Sequence, residues 1–132
     1  MKFGLTALLL AGLCSSVVQA AGDNCQHAMT QADMNVCAAK AHELADKQLN
    51  SLYQQYRQRL AADDQQRLTI AQRAWIGYRD AACRFETAQV SGGSIFPTIW
   101  LQCLTGKTEN RIKELQKLLQ CQEGDLDCPA LQ

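Results

Sequence analysis

Residues 34–50 read Met34-Asn35-Val36-Cys37-Ala38-Ala39-Lys40-Ala41-His42-Glu43-Leu44-Ala45-Asp46-Lys47-Gln48-Leu49-Asn50, and the chain runs on through Leu52 and Tyr56 to Leu60. Met34, Cys37, Ala41, Ala45, Leu49, Leu52, Tyr56 and Leu60 recur at intervals of three and four, which on a helix puts them on one side. Just upstream, Thr30-Gln31-Ala32-Asp33 has the form of a helix start, with Thr30 as N-cap and Asp33 near the positive end of the helix dipole. A helix is therefore predicted from there to about Ala62, roughly 45 Å long at 1.5 Å per residue. It is too long to be buried all round, in keeping with its polar opposite face.

Working outward, a second stripe joins Leu68, Ala71, Trp75, Tyr78, Ala82 and Phe85, again at threes and fours. It predicts a helix from about Asp64 to Gln89. The six residues Ala61-Ala62-Asp63-Asp64-Gln65-Gln66 between the stripes hold neither Gly nor Pro. Asp63 or Asp64 is suited to cap a new helix, and one unbroken helix is the alternative. Ser91-Gly92-Gly93-Ser94 ends the second helix, because paired glycines are costly inside a helix and free to take positive φ. Pro97 suits the first turn of a third helix, where its missing N–H is no loss. Leu101, Leu104, Ile112, Leu115 and Leu118 or Leu119 carry that helix to about Gln120, with Gly106 its weak point. No strand-like alternation, internal repeat or low-complexity linker interrupts the pattern. The expected fold is all-α: two long antiparallel helices and a third returning along them, stapled by disulfides.

The N-terminus shows Lys2, an apolar run from Phe3 to Leu13 and a small-residue stretch ending Val18-Gln19-Ala20. That order is a secretory signal, with cleavage expected after Ala20. The run is too short for a permanent membrane span, which needs about 20 apolar residues. A lipoprotein acylated at Cys14 is the less favoured alternative, since Leu13 is bulky where such sites carry a small residue. Removing the first 20 of 132 residues leaves 112, one domain over 21–132. Its core is expected at about 25–119, followed by a disulfide-closed acidic tail at 121–132. The only charge removed is Lys2, leaving 12 basic side chains against 13 acidic. So even a balance offers no long-range attraction to nucleic acid or anionic lipid. The expected location is periplasmic or secreted.

Six cysteines remain after cleavage: Cys25, Cys37, Cys83, Cys103, Cys121 and Cys128. An even number in a short exported chain reads as a disulfide framework, though six cysteines allow about 15 connectivities. Closeness in sequence favours Cys25 with Cys37, Cys83 with Cys103, and Cys121 with Cys128. Each bridge is worth roughly 2–4 kcal/mol, against a total stability of about 5–15 kcal/mol for a domain.

Met34-Asn35-Val36-Cys37-Ala38, Ala45-Asp46-Lys47-Gln48-Leu49-Asn50 with Tyr53, and Ala71-Gln72-Arg73-Ala74-Trp75-Ile76-Gly77-Tyr78-Arg79-Asp80-Ala81-Ala82-Cys83 form a pattern. With Cys25, Gly92-Gly93-Ser94, Cys103, Thr108, Arg111 and Leu115, it resembles the N-terminal domain of the LprI-type lysozyme inhibitors over about Cys25 to Leu119. The resemblance implies a periplasmic or surface-exposed helical domain that binds and inhibits lysozyme. Cys121 and Cys128 stand outside the shared pattern.

The same residues have a structural reading. Trp75 and Tyr78 lie on the apolar stripe, where they are expected to fill the seam between helices. Asp46 and Arg79 lie beside their stripes, so antiparallel pairing would bring them together as a register-setting ion pair, with Asn50 capping nearby groups. No catalytic residue is expected: a nucleophile needs an adjacent base oriented by a third group, and only His27 and His42 are available. Asp63 with Asp64 and Asp125 with Asp127 read as a cap and a solvated loop, not as carboxylates facing across a cleft. A zinc site from Cys25, His27, Cys37 and His42 is disfavoured, because the thiols would bridge in an oxidising compartment and His42 follows Cys37 by five positions. Both histidines are expected at the surface, and no metal or cofactor is expected.

The binding candidates are Gly92, Gly93, Ser94 and Phe96, in a loop that a Cys83–Cys103 bridge would stiffen. Glu123-Gly124-Asp125-Leu126-Asp127 adds an acidic tail suited to a basic protein. Against this, Ile95 and Phe96 serve equally well as anchors of the loop to the core. The function expected is non-catalytic binding, with inhibition of lysozyme or a related cell-wall hydrolase. The alternative is an envelope protein that binds another partner, in a toxin-neutralising or structural role.

Overall fold

In the computed structural model the described residues are 25–132; the expected signal segment and Cys14 lie outside them. Three helices lie wholly within that range: α1 at Gln31–Gln58, α2 at Ala62–Glu86 and α3 at Phe96–Leu118, with a 3-10 turn at Ala88–Val90. Among the described residues there is no strand. None of these helices is long and apolar enough to cross a membrane.

α1 begins as its cap dictates: the Thr30 hydroxyl accepts the Asp33 N–H at 3.1 Å and donates to the Asp33 carboxylate at 2.7 Å. Its buried positions, Ala38, Ala45, Leu49 and Tyr56, fall along the expected stripe. α1 and α2 are separate helices. Arg59 closes α1, Leu60 turns into the core at 3% exposure, and Ala61 takes an extended conformation. Ala61, not an aspartate, holds the N-cap position of α2 and makes no side-chain cap bond. Asp63 and Asp64 sit two and three residues past the cap, in the first turn, where they interact with the dipole instead of capping. Gln65 closes the break by donating its side-chain N–H to the Leu60 carbonyl at 2.9 Å. The chain needs no glycine here because burying Leu60 supplies the reason to turn.

α2 runs antiparallel to both other helices, so α1 and α3 are parallel. Tyr53 and Thr69 meet at 2.9 Å, fixing α1 against α2. Gln72 and Arg111 meet at 3.0 Å, fixing α2 against α3. Backbones approach most closely between α1 and α3, where small residues on α1 such as Ala38 and Ala45 are buried. α2 stands farther off and is joined by Leu68 and Trp75 in the core, by the Cys83–Cys103 bridge and by polar side chains such as Gln72 and Arg79. The core gathers Leu49, Tyr56, Leu60, Leu68, Ile112 and Leu115 toward one end of the bundle. Leu131 packs on that cluster, and the Gln132 N–H donates to the Arg59 carbonyl at 2.8 Å, so the tail covers the α1–α2 break.

All three expected disulfides are present: Cys25–Cys37, Cys83–Cys103 and Cys121–Cys128. The second stripe needs correction. The buried face of α2 is Leu68, Gln72 and Cys83, with Trp75 and Arg79 part-buried, whereas Tyr78 and Phe85 are 64% and 84% exposed. The helix turns a partly polar face inward because α1 and α3 offer it hydrogen-bonding groups, and its aromatic flank is left outside.

Candidate functional site

Two groups of residues stand out: a polar network in the middle of the bundle, and the loop joining α2 to α3. In the first, Arg79 donates to Asp46 at 3.2 Å, to Asp80 at 3.0 Å and to the Thr108 hydroxyl at 3.4 Å, so a single guanidinium ties all three helices together. Its plane lies 5.3 Å from the centre of the Trp75 ring, and the Arg111 guanidinium lies 5.9 Å from it. Trp75 is part-buried against the core cluster, with both cations near its ring. Tyr78 instead meets the Lys107 ammonium at 5.7 Å on the surface. Asn50 is exposed and its side chain makes no hydrogen bond among the described residues, so it caps nothing there.

His42 departs from expectation. It is half-buried, its Nε2 lies 3.4 Å from Asp46, and its Nδ1 is buried without a hydrogen-bond partner. Its Nδ1 is thus enclosed by the bundle, and its Nε2 faces the Asp46 carboxylate. His27 is exposed. Cys25 and Cys37 are joined to each other, so neither holds the thiolate that zinc would need. Cys121, Asp125 and Cys128 also cluster, yet those two sulfurs are bonded together as well.

The loop is exposed and braced. α2 ends where the buried Thr87 donates both its N–H, at 3.0 Å, and its hydroxyl, at 2.7 Å, to the Cys83 carbonyl. After the 3-10 turn, the Gly93 N–H donates to Val90 at 2.9 Å and the Phe96 N–H to Gly93 at 3.2 Å. The first leg is fixed by the Cys83–Cys103 bridge and by an ion pair of Lys107 with Glu86 at 2.8 Å. That contact holds the Lys107 ammonium above its ordinary range, because Glu86 accepts its hydrogen bond. The second leg is fixed by the buried Thr98, whose hydroxyl bonds Asn35 and accepts from Gln31 at 2.9 Å. This tie between the starts of α1 and α3 went unread in the sequence. Its signal was there, since Thr98 and Thr108 stand at helical spacing from Leu101, Leu104 and Ile112.

Between its legs the loop presents Ser91, Gly92, Gly93 and Ser94 to solvent, with Ile95 40% exposed. Phe96 is part-buried and lies 5.9 Å from the Trp100 ring, so it anchors the loop where Ile95 projects. Neither Gly92 nor Gly93 takes positive φ; among the described residues Gly124 does, at 97°. A Cβ at Gly92 would meet nothing within 4 Å. The missing side chain is thus required neither by the backbone nor by packing within the chain.

The family model for the lysozyme inhibitor LprI matches residues 21–115. The chain belongs to the LprI lysozyme-inhibitor family. A protein of uncharacterised function from Rhizobium meliloti (strain 1021) is 32% identical over 131 residues, spanning 89% of this chain and 94% of its own length. No solved structure matches. The LprI match covers all three helices almost to the end of α3 and stops before Cys121. The disulfide-closed tail lies outside the matched residues. In that tail Glu123, Asp125, Leu126 and Asp127 are exposed, and Asp125 accepts the Gln122 N–H at 2.8 Å. Between the tail and α3 lies an open groove of about 590 Å³ whose lining includes Arg111, Glu114, Lys117, Asp125 and Asp127.

Proposed function

We propose that this protein is exported to the periplasm or beyond after cleavage at Ala20, and there inhibits lysozyme or a related cell-wall hydrolase without any chemistry of its own. The family match carries the target class. Its starting point at residue 21, next to the expected cut, supports export. The observation that favours Ser91–Ile95 as the inhibitory element is that the loop is exposed yet braced on both legs. A loop ordered before binding loses little entropy on docking. Gly92 and Gly93 then serve the partner: without side chains, the loop backbone can approach the walls of a narrow substrate cleft. Ser94 supplies a hydroxyl for hydrogen bonding and Ile95 an apolar contact, while Phe96 holds the loop's base.

The acidic tail belongs at the opposite end of the bundle, since α3 between them is 23 residues long, roughly 35 Å at 1.5 Å per residue. It is not part of the same cleft contact. The test is titration of the mature protein against several lysozymes, comparing wild type with Gly92→Trp and with a variant whose loop is shortened by two residues. Loss of inhibition by at least tenfold with unchanged helical circular dichroism supports the loop. Undiminished inhibition removes the loop from the interface. Binding without any loss of lytic activity would instead favour an envelope protein that serves another partner.

A further inference from the structure

The exposed flank of α2 is self-complementary, and we infer that it is the contact between two copies of this chain. Along it lie Ile70, Ala74, Gly77, Tyr78, Ala81 and Phe85, spaced four, three, one, three and four residues apart, and all are exposed. This series reads the same in both directions about a point between Gly77 and Tyr78. A two-fold axis through that point lays two α2 helices antiparallel, as an isologous dimer requires. Ile70 then faces Phe85 of the second copy, Ala74 faces Ala81, and Tyr78 faces Gly77.

Each pairing sets a bulky side chain against a different one or a small one against a small one, and at the centre a ring against a glycine. Gly77 otherwise lacks a reason. It stands inside a helix, where glycine costs about 1 kcal/mol relative to alanine, and a Cβ there would meet nothing within 4 Å in this chain.

Charge fits the same arrangement. No residue of the flank itself is charged; beyond one end Arg67 is paired with Asp64 at 2.6 Å, and Lys107, whose ammonium lies 5.7 Å from the Tyr78 ring, is neutralised by Glu86 at 2.8 Å. The antiparallel register sets Arg73 opposite Ala82, Arg84 opposite Ala71 and Glu86 opposite Thr69, so like charges do not meet. Ile70, Tyr78 and Phe85 are 61%, 64% and 84% exposed. With buried aromatics worth 150–250 Å² each, the flank would hide roughly 500 Å² per copy, about 1,000 Å² in all, the lower limit of specific interfaces. The contact is therefore a weak, reversible dimer.

This inference does not rest on the loop, and its test separates the two. Sedimentation velocity of the mature protein from roughly 10 μM to 1 mM, the range such an interface supports, should show a monomer–dimer equilibrium. Phe85→Glu should weaken it at least tenfold, with helical content and lysozyme inhibition unchanged. An equimolar mixture of Ala74→Cys and Ala81→Cys variants, treated with a short bis-maleimide, should cross-link several-fold more than either variant alone. A monomer at every concentration, or equal cross-linking in mixture and single variants, would overturn the proposal. So would loss of inhibition in Phe85→Glu with its self-association unchanged, which would give the flank to the hydrolase.

Discussion

At the residue scale the bundle depends most on Arg79, which serves Asp46, Asp80, Thr108 and Trp75 at once. Its side chain is 12% exposed. Arg79→Ala should therefore cost about 1–3 kcal/mol, because it leaves the buried Thr108 hydroxyl without its partner, whereas Asp46 and Asp80, 39% and 36% exposed, regain water. Arg79→Lys should recover only part of that, since an ammonium cannot reproduce the planar fork. Urea unfolding of the two variants checks this, and a loss in Arg79→Ala below about 0.5 kcal/mol, the surface-pair range, would contradict it. Tyr56 gives a pH prediction. Burial, with the Asp64 carboxylate second, pushes its phenol above the ordinary value of 10.0. A folded value above the unfolded one means that the contribution of the neutral phenol is complete below pH 10.0. It is lost as pH rises through the folded value. Lys107 shifts in the same direction and adds to the same alkaline loss. Tyr56→Phe should move the alkaline unfolding midpoint upward, as followed by circular dichroism.

At the element scale, Thr30→Ala should cost about 1 kcal/mol by removing the cap of α1, read as a lower thermal midpoint. Ala61→Ser offers the converse at α2, whose N-cap position makes no side-chain bond; it should stabilise by a few tenths to 1 kcal/mol. Replacing Cys83 and Cys103 together with alanine should cost about 3 kcal/mol for a bridge across some 20 residues. It should also weaken inhibition more than it lowers stability predicts, because one leg of the loop is freed. The extent of α1 and the start of α3 were legible because a cap, a proline and a stripe agree there. The face of α2 was not, because periodicity marks where apolar residues lie and not whether a neighbour covers them. Gln72, Arg79 and Cys83 are drawn inward by partners on other helices, and Tyr78 and Phe85 rotate outward with them.

At the scale of the whole molecule, three bridges hold a bundle whose apolar core is gathered toward one end. Full reduction should remove most of the native helical signal at 37 °C, because three bridges together amount to about as much as a small domain's entire stability. Far-ultraviolet circular dichroism with and without reductant measures it. By itself the sequence determined that the chain is helical, where its helices start and stop to within a few residues, which cysteines are closest along the chain, and the family pattern. Those are local properties, written in spacing, caps and breakers. Tertiary structure alone decided that α1 packs closest to α3, that Phe96 anchors while Ile95 projects, and that one arginine links three helices. These depend on which side chains another element covers or meets, as Arg79 meets Asp46 and Thr108 from 33 and 29 residues away, and that balance of burial and hydrogen bonding has no counterpart in local order.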